Sequence, residues 1–244
     1  AEEAGRLLLD LRAEMVTAGA SADELKAEGD RRSHELLMDR LAQERPGDAV
    51  LSEEGRDGFG PSGQDRLTAD RVWIVDPLDG TREYSEPPRA DWAVHVALVS
   101  NGSPIAGAVA LPAQNRVLAT SPPAPAPGPP PARPRVIVSR TRPPAVATHL
   151  AEALGGELVE MGSAGAKACA VVLGAADVYP HAGGQYEWDS CAPVAVAAAA
   201  GVWTSRIDGS PLVYNNADPY LPDLLVCHPA LVERVRAALD EFDG

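Results

Sequence analysis

The sequence predicts a mixed α/β protein of two lobes, and three observations carry that expectation. Apolar residues make up 45% of the 244-residue chain but aromatics only 5%. Ala and Val supply much of the apolar share, as in a helix-and-sheet protein with a small-residue core. The first half reads as helices followed by short strands joined by tight turns, and the second alternates strand with helix. Between them runs SPPAPAPGPPPARPR, residues 121–135, which forms neither helix nor central strand because proline fixes φ and lacks a donor. The division expected is therefore an N-terminal α+β lobe over 1–120, a stiff exposed connection over 121–135, and a C-terminal α/β lobe over 136–244.

The elements follow in order. Residues 1–16 place Leu7, Leu8, Leu11, Met15 and Val16 at helical spacing among scattered acids, an amphipathic helix rather than a signal peptide. A second helix is expected over 31–43, with Leu36, Leu37 and Leu41 on one side and Pro46-Gly47 ending it. Ala49-Val50-Leu51 starts an extended segment that delivers Ser52-Glu53-Glu54-Gly55 to a strand end. Residues 71–75 form a short strand, closed as a turn by Asp76-Pro77-Leu78-Asp79-Gly80-Thr81. Strands follow at 92–99 and 104–111 around the turn Asn101-Gly102, with a third near 117–120. Beyond the connection come a strand at 136–139, a helix at 144–154, a strand at 158–159, a helix at 164–173 and extended chain at 177–179. Asp189 begins an apolar helix stopped by Gly201, with Pro193 placed in its first turn, and residues 229–242 form the last helix.

Charge and cysteine content exclude several function classes. A formal net charge of -14 argues against the generic attraction to nucleic-acid backbones or anionic lipid that basic patches supply. A protein so acidic handles phosphate only with cations between. No stretch approaches the roughly 18 to 20 uninterrupted apolar residues of a spanning helix, so no membrane role is expected. Cys169, Cys191 and Cys227 are far apart, lack paired metal-ligand spacing and leave one unpaired in any disulfide scheme, which argues for a reduced, cytoplasmic setting.

The acidic turns carry the chemistry. A catalytic Mg²⁺ needs a few carboxylates converging from separate elements, with phosphate and water completing its shell. Asp76 and Asp79 are three residues apart around Pro77, which forbids helix at Asp76 and fixes a bend, so both carboxylates and the Leu78 carbonyl can face one point. Gly80-Thr81 opens a short helix whose N–H groups suit a phosphate oxygen, and the Thr81 hydroxyl is placed to orient a water. An Asp-Pro-x-Asp-Gly string is otherwise an ordinary surface turn.

Glu53-Glu54, then Trp73-Ile74-Val75-Asp76-Pro77-Leu78-Asp79-Gly80-Thr81, then Trp188-Asp189 ahead of an apolar helix together resemble the inositol monophosphatase superfamily. The three motifs span most of the chain in that family's order. The resemblance implies a layered αβαβα sugar-phosphatase fold, with Glu53, Asp76 and the Leu78 carbonyl on one Mg²⁺ and Asp76, Asp79 and Asp189 on a second. Glu53 also serves a third, weaker site, so two or three ions are expected. In the family the attacking water is positioned by the Thr of the Asp-Gly-Thr turn and by the acid of an upstream Thr-x-x-Asp motif. Thr81 and Asp30 are the matches, although Ala27-Glu28-Gly29-Asp30 has alanine where threonine is usual. The alternative role for Asp30 is a cap on the helix expected from residue 31, and for Asp189 a cap on the helix it begins. Cys191 is read as packing, since Mg²⁺ rejects thiol.

The substrate is read from the second lobe. Gly162-Ser163-Ala164-Gly165-Ala166-Lys167 followed by Asp177-Val178-Tyr179-Pro180, with Arg82-Glu83-Tyr84 after the metal turn, is similar to the 3′(2′),5′-bisphosphate nucleotidases of sulfate assimilation. That likeness implies hydrolysis of the 3′-phosphate of 3′-phosphoadenosine 5′-phosphate to AMP, sensitivity to Li⁺, and room for a homodimer. Leu78, Asp79, Gly80, Thr81 and Asp189 then face the scissile phosphate, and Ser163 and Lys167 the ribose and second phosphate. His181 stands where many nucleotidases have arginine after Tyr-Pro, removing a permanent charge. Arg140 and Arg142 are alternative partners for the second phosphate. An inositol monophosphatase with overlapping fructose-bisphosphatase activity is the alternative on the same metals. A non-catalytic acidic metal-binding protein is the reading from another class.

Overall fold

The computed structural model describes residues 1–55 and 65–242. Five layers alternate helix and sheet. Helices α1 (Glu2–Thr17) and α2 (Ala22–Glu44) cover one face of a five-stranded sheet ordered β1-β2-β3-β4-β5. Its strands are β1 (Ala49–Ser52), β2 (Val72–Asp79), β3 (Ala93–Ser100), β4 (Ser103–Leu111) and β5 (Arg116–Ala119). The short α3 (Thr81–Tyr84) follows β2. A second sheet, ordered β7-β6-β8-β10-β9, is built from β6 (Arg135–Ser139), β7 (Glu157–Met161), β8 (Val178–Tyr186), β9 (Trp203–Ser205) and β10 (Tyr220–Cys227). Helices α5 (Ala164–Val172) and α6 (Glu187–Ala199) pack between the two sheets, while α4 (Ala145–Leu154) and α7 (Val232–Asp240) cover the outer face of the second. The αβαβα layering expected from the sequence is thus what the chain forms.

Strand alternation assigns each residue to its layer. In β2, Val72 and Ile74 join the central core shared with α5 and α6, whereas Val75 and Leu78 join the core under α1 and α2. In β10, Leu224 and Val226 face inward and Leu225 and Cys227 face α4 and α7. Both faces of these stretches are buried, so residues 72–75 of β2 and 224–227 of β10 are continuous apolar runs. Helix α6 is buried nearly all round, which explains the abundance of Ala and Val in a core with few aromatics.

Several elements differ from expectation for identifiable reasons. Helix α2 starts nine residues early, at a capping box in which Ser21 and Glu24 exchange side-chain to backbone bonds. Asp30 therefore lies inside α2 and is not its cap. Strand β2 continues through Pro77 to Asp79 rather than stopping at Val75. A register shift against β3 between Asp76 and Asp79 absorbs the proline as a bulge, beyond the last residue paired with β1. Helix α6 starts at Glu187, which makes Asp189 its third residue and moves Pro193 to the second turn; the N–H that proline lacks is the one the Asp189 carbonyl would have accepted. Strands β9 and β10 were not expected. The Asn101-Gly102 turn is as read, both residues at positive φ (49° and 75°).

The Pro-rich segment is largely exposed, with two anchors: Ala124 packs on the central core, and His228 contacts the Gly128 carbonyl through Nε2 at 2.7 Å. Directly after it, Asp177 staples β6 to β8. Its carboxylate accepts the Arg135 N–H at 2.7 Å and the Arg135 guanidinium at 2.9 and 3.1 Å. Asp177 is 2% exposed, so Asp177→Ala strands a guanidinium and a backbone donor. We expect it to lower unfolding free energy by about 3 kcal/mol, seen as a lower urea midpoint at unchanged slope; an unchanged midpoint would mean that the staple carries no stability.

Candidate metal centre

Three carboxylates from two elements meet at one point. Ligand atoms of Asp76 and Asp79, at the end of β2, and of Asp189, in the first turn of α6, all lie within 4.8 Å of one another. The bulge at Pro77 is what brings both β2 carboxylates to the same side. The Asp76 Oδ1 atom accepts the Leu78 N–H at 3.1 Å. Asp189 Oδ2 accepts the Tyr186 N–H at 2.6 Å, which fixes the carboxylate against the helix start.

Asp79 is the most constrained group of the three. Its Oδ2 accepts from the Ser163 hydroxyl at 2.5 Å and the Gly165 N–H at 2.6 Å, and its Oδ1 accepts the Ala164 N–H at 3.1 Å. The carboxylate thus sits on the N-terminal amides of α5, where the helix dipole favours a negative charge. His95 Nε2 lies 3.1 Å from the same Oδ2, while its Nδ1 contacts the Trp188 carbonyl at 3.0 Å. Burial alone would raise the Asp79 pKa; the His95 charge and these hydrogen bonds outweigh it and hold Asp79 down at about 2. In return His95 is shifted upward, burial being overcome by Asp79.

The neighbouring acids are pushed the other way. Burial, then the charges of Glu53, Asp79 and Asp189, raise Asp76 well above the usual carboxylate range. Burial and Asp189 lift Glu53 to about 7, and burial and Asp79 lift Asp189 to about 6. Asp30, raised to about 7 by burial and Glu54, receives a bond from the Thr81 hydroxyl at 3.3 Å. That hydroxyl also donates to the Leu78 carbonyl at 3.0 Å. Like-charged oxygens crowded this closely suit a hard dication, and the clustered ligand atoms are all carboxylate oxygens, with His95 engaged on Asp79. Glu53 lies close enough to feel the charges of Asp189 and Asp79.

A cleft of about 420 Å³ opens beside the cluster, with Asp79 and Asp189 in its wall together with Ser163, Lys167, Arg142 and His181. Ser163 caps α5, accepting from Ala166 N at 2.9 Å, at a positive φ of 53°. The Lys167 ammonium is 5% exposed, donates to the Ser163 carbonyl at 2.7 Å and lies 5.3 Å from the Tyr179 ring centroid; burial lowers its pKa. Arg142 is exposed on the cleft. Arg140 is not available there, because it pairs with Glu83 at 2.7 Å and Glu86 at 2.8 Å, contrary to its sequence reading as a phosphate partner. The three cysteines are free and buried.

Sequence reasoning missed His95. Its signal was a lone imidazole in an otherwise apolar strand, residues 92–99, whose buried partner no local motif could supply. Nor did it find why α5 begins Gly-Ser-Ala-Gly: a Cβ on Gly165 would stand 2.0 Å from His95 Nε2. Gly165→Ala must displace His95 or α5, and we expect a loss of about 1 to 3 kcal/mol in urea unfolding. Unchanged stability would show that His95 is not clamped.

Comparison with known proteins agrees with this geometry. The inositol monophosphatase family matches residues 1–124 and 132–240. The 3′-phosphoadenosine 5′-phosphate phosphatase of Mycobacterium tuberculosis is 53% identical over 238 residues, covering 92% of this chain and 85% of that protein. The 3′(2′),5′-bisphosphate nucleotidase CysQ of Escherichia coli is 33% identical over 199 residues, 78% of this chain and 79% of the relative. Among solved structures, staphylococcal IMPase-II superposes with a TM-score of 0.78 at 19% identity, covering 98% of this chain and 90% of that one. Mycobacterium tuberculosis SuhB gives 0.72 at 24%, covering 100% and 94%; both show the shared fold. The chain belongs to the inositol monophosphatase family.

Proposed function

We propose that this protein is a Mg²⁺-dependent phosphomonoesterase that converts 3′-phosphoadenosine 5′-phosphate to AMP and phosphate. The observation that carries the reading is the convergence of Asp76, Asp79 and Asp189 within 4.8 Å on a cleft that also presents Arg142 and Lys167. Carboxylates alone would repel a phosphate ester, and cationic side chains alone would not activate water. The relatives' names support this substrate, since those named for 3′-phosphoadenosine 5′-phosphate share half or more of their aligned residues with this chain. The free, buried thiols fit the reducing cytoplasm for which the sequence argues.

Asp76, Asp79 and Asp189 would hold the ions, with Glu53 and the Leu78 carbonyl completing two or three sites. Bound Mg²⁺ would neutralise the ester phosphate, lower the pKa of an attacking water and stabilise the departing alkoxide. The remaining work falls to the chain. Asp79, fixed by Ser163, α5 and His95, keeps its charge and position. Thr81 Oγ1 sits between the Leu78 carbonyl and Asp30 Oδ1, so the pair can orient a water, and an Asp30 with a pKa near 7 is matched to taking its proton at neutral pH. Ser163 and Lys167 line the cleft and would face the ribose of the bound ester. One bond to Ser163 leaves the Lys167 ammonium with donors for an anion. Of the two arginines offered by the sequence, Arg142, rather than the paired Arg140, is the exposed guanidinium for the second phosphate.

Asp79→Asn is expected to reduce turnover by at least roughly a hundredfold while leaving far-ultraviolet circular dichroism unchanged; activity within about tenfold of wild type would refute the site. Phosphate release from 3′-phosphoadenosine 5′-phosphate and inositol 1-phosphate at equal concentration tests the substrate, and we expect the nucleotide to be strongly preferred. Equal rates would return the protein to the inositol monophosphatase reading. Arg142→Ala should cut kcat/KM for the bisphosphate about tenfold and leave inositol 1-phosphate nearly unchanged. An equal loss on both would place Arg142 outside the second phosphate's site.

A further inference from the structure

Two tyrosines in the cleft wall take no part in the chemistry above. Tyr186 closes β8 and Tyr220 opens β10, and the two are register partners across the antiparallel pair. Their rings meet edge to face, with centroids 6.2 Å apart and planes at 82°. Tyr186 is 37% and Tyr220 48% exposed, a large aromatic surface to leave in water beside a carboxylate cluster.

The backbone is shaped to seat Tyr220 there. Gly183 and Gly184 in β8 both have positive φ, 103° and 86°. A Cβ on Gly184 would stand 2.4 Å from the Tyr220 hydroxyl oxygen and 2.6 Å from its Cε2. Any other residue at Gly184 would push the ring off the cleft. Tyr186 is fixed in turn, stacked on the buried Trp188 at 4.7 Å and 11°, with its N–H on the Asp189 carboxylate at 2.6 Å. The aromatic pair is therefore held in rigid relation to a candidate metal ligand three residues away.

The cleft thus offers three chemistries along one wall: carboxylates at Asp79 and Asp189, cations at Lys167 and Arg142, and a π surface at Tyr220. We infer that Tyr220, held in perpendicular contact with Tyr186, is the platform on which a flat heteroaromatic base stacks, and that it makes this cleft select nucleotides over polyol phosphates. This rests on and deepens the nucleotide-phosphatase reading. Stacking is tolerant of base identity, because every base has a π face. An inositol or sugar phosphate has none and gains nothing from the ring.

Binding of AMP and of ribose 5-phosphate, measured by calorimetry on wild type, Tyr220→Ala, Tyr220→Leu and Tyr220→Phe, separates the base from the rest of the ligand. Tyr220→Ala should weaken AMP about ten- to a hundredfold and leave ribose 5-phosphate unchanged. Tyr220→Leu, which keeps apolar bulk if alanine unsettles the fold, should lose AMP affinity likewise. Tyr220→Phe, which keeps the ring face, should bind AMP as wild type does. Equal losses on both ligands, full AMP affinity in Tyr220→Ala or Tyr220→Leu, or a wild type that does not distinguish the two ligands would each overturn the platform. Failure of the nucleotidase reading shows separately, as a wild type with no preference for 3′-phosphoadenosine 5′-phosphate over inositol 1-phosphate.

Discussion

The Asp79 carboxylate is the joint on which the molecule turns. It ends β2, an interior strand of the first sheet, and lies on the opening amides of α5, a helix packed between the sheets, so one side chain ties β2 to the middle layer. Its bonds to Ser163, Ala164, Gly165 and His95 are charge-assisted and shielded from water, which makes them strong and makes any substitute costly. Several sequence choices follow from it. Ser163 accepts a positive φ to cap α5 and donate to Asp79. Gly165 gives up its Cβ to admit His95, and His95 in turn reaches the Trp188 carbonyl beside Asp189. The clamp therefore sets the spacing between the carboxylates contributed by β2 and α6.

What Asp79 gains, its neighbours lose. Glu53, Asp76 and Asp189 are buried near one another with pKa values above their ordinary range. Folded-state values above the unfolded ones mean that these groups favour the fold while protonated, below about pH 4, and that this contribution is lost as pH rises through about 6 to 7. At neutral pH a bound cation would take the place of the protons. The excess of acid over base in a -14 chain and its capacity to hold an anionic ester are thus reconciled at one place.

Most elements and the acid set were legible in the sequence, because both rest on local signals, whereas the αβαβα layering was read from the family resemblance. Buried strands read as short apolar runs, and the Asp-Pro-Leu-Asp-Gly-Thr string announces a bend with two acids. Three things were not legible, and each depends on contacts distant in sequence. Strand β10 has Pro222 and Asp223 in its first half, which conceal a strand that pairs with both β8 and β9. Arg140 looked free to meet phosphate until the fold brought it to Glu83 and Glu86, more than fifty positions earlier in the chain. His95 and Tyr220 belong to strands whose pairing and neighbours decide what they face. The early start of α2 was a different case, since the Ser21 and Glu24 capping box was visible and went unread.

The central claim is that the clustered carboxylates are built to be neutralised by a dication. Thermal unfolding at pH 7.5 with Mg²⁺ titrated at constant ionic strength, for wild type and Asp76→Asn, tests it most directly. Preferential binding to the folded state should raise the wild-type Tm progressively with Mg²⁺, whereas Asp76→Asn, relieved of one charge, should start from a higher Tm and respond weakly. A wild-type Tm that does not move with Mg²⁺, or that moves equally in Asp76→Asn, would contradict the account.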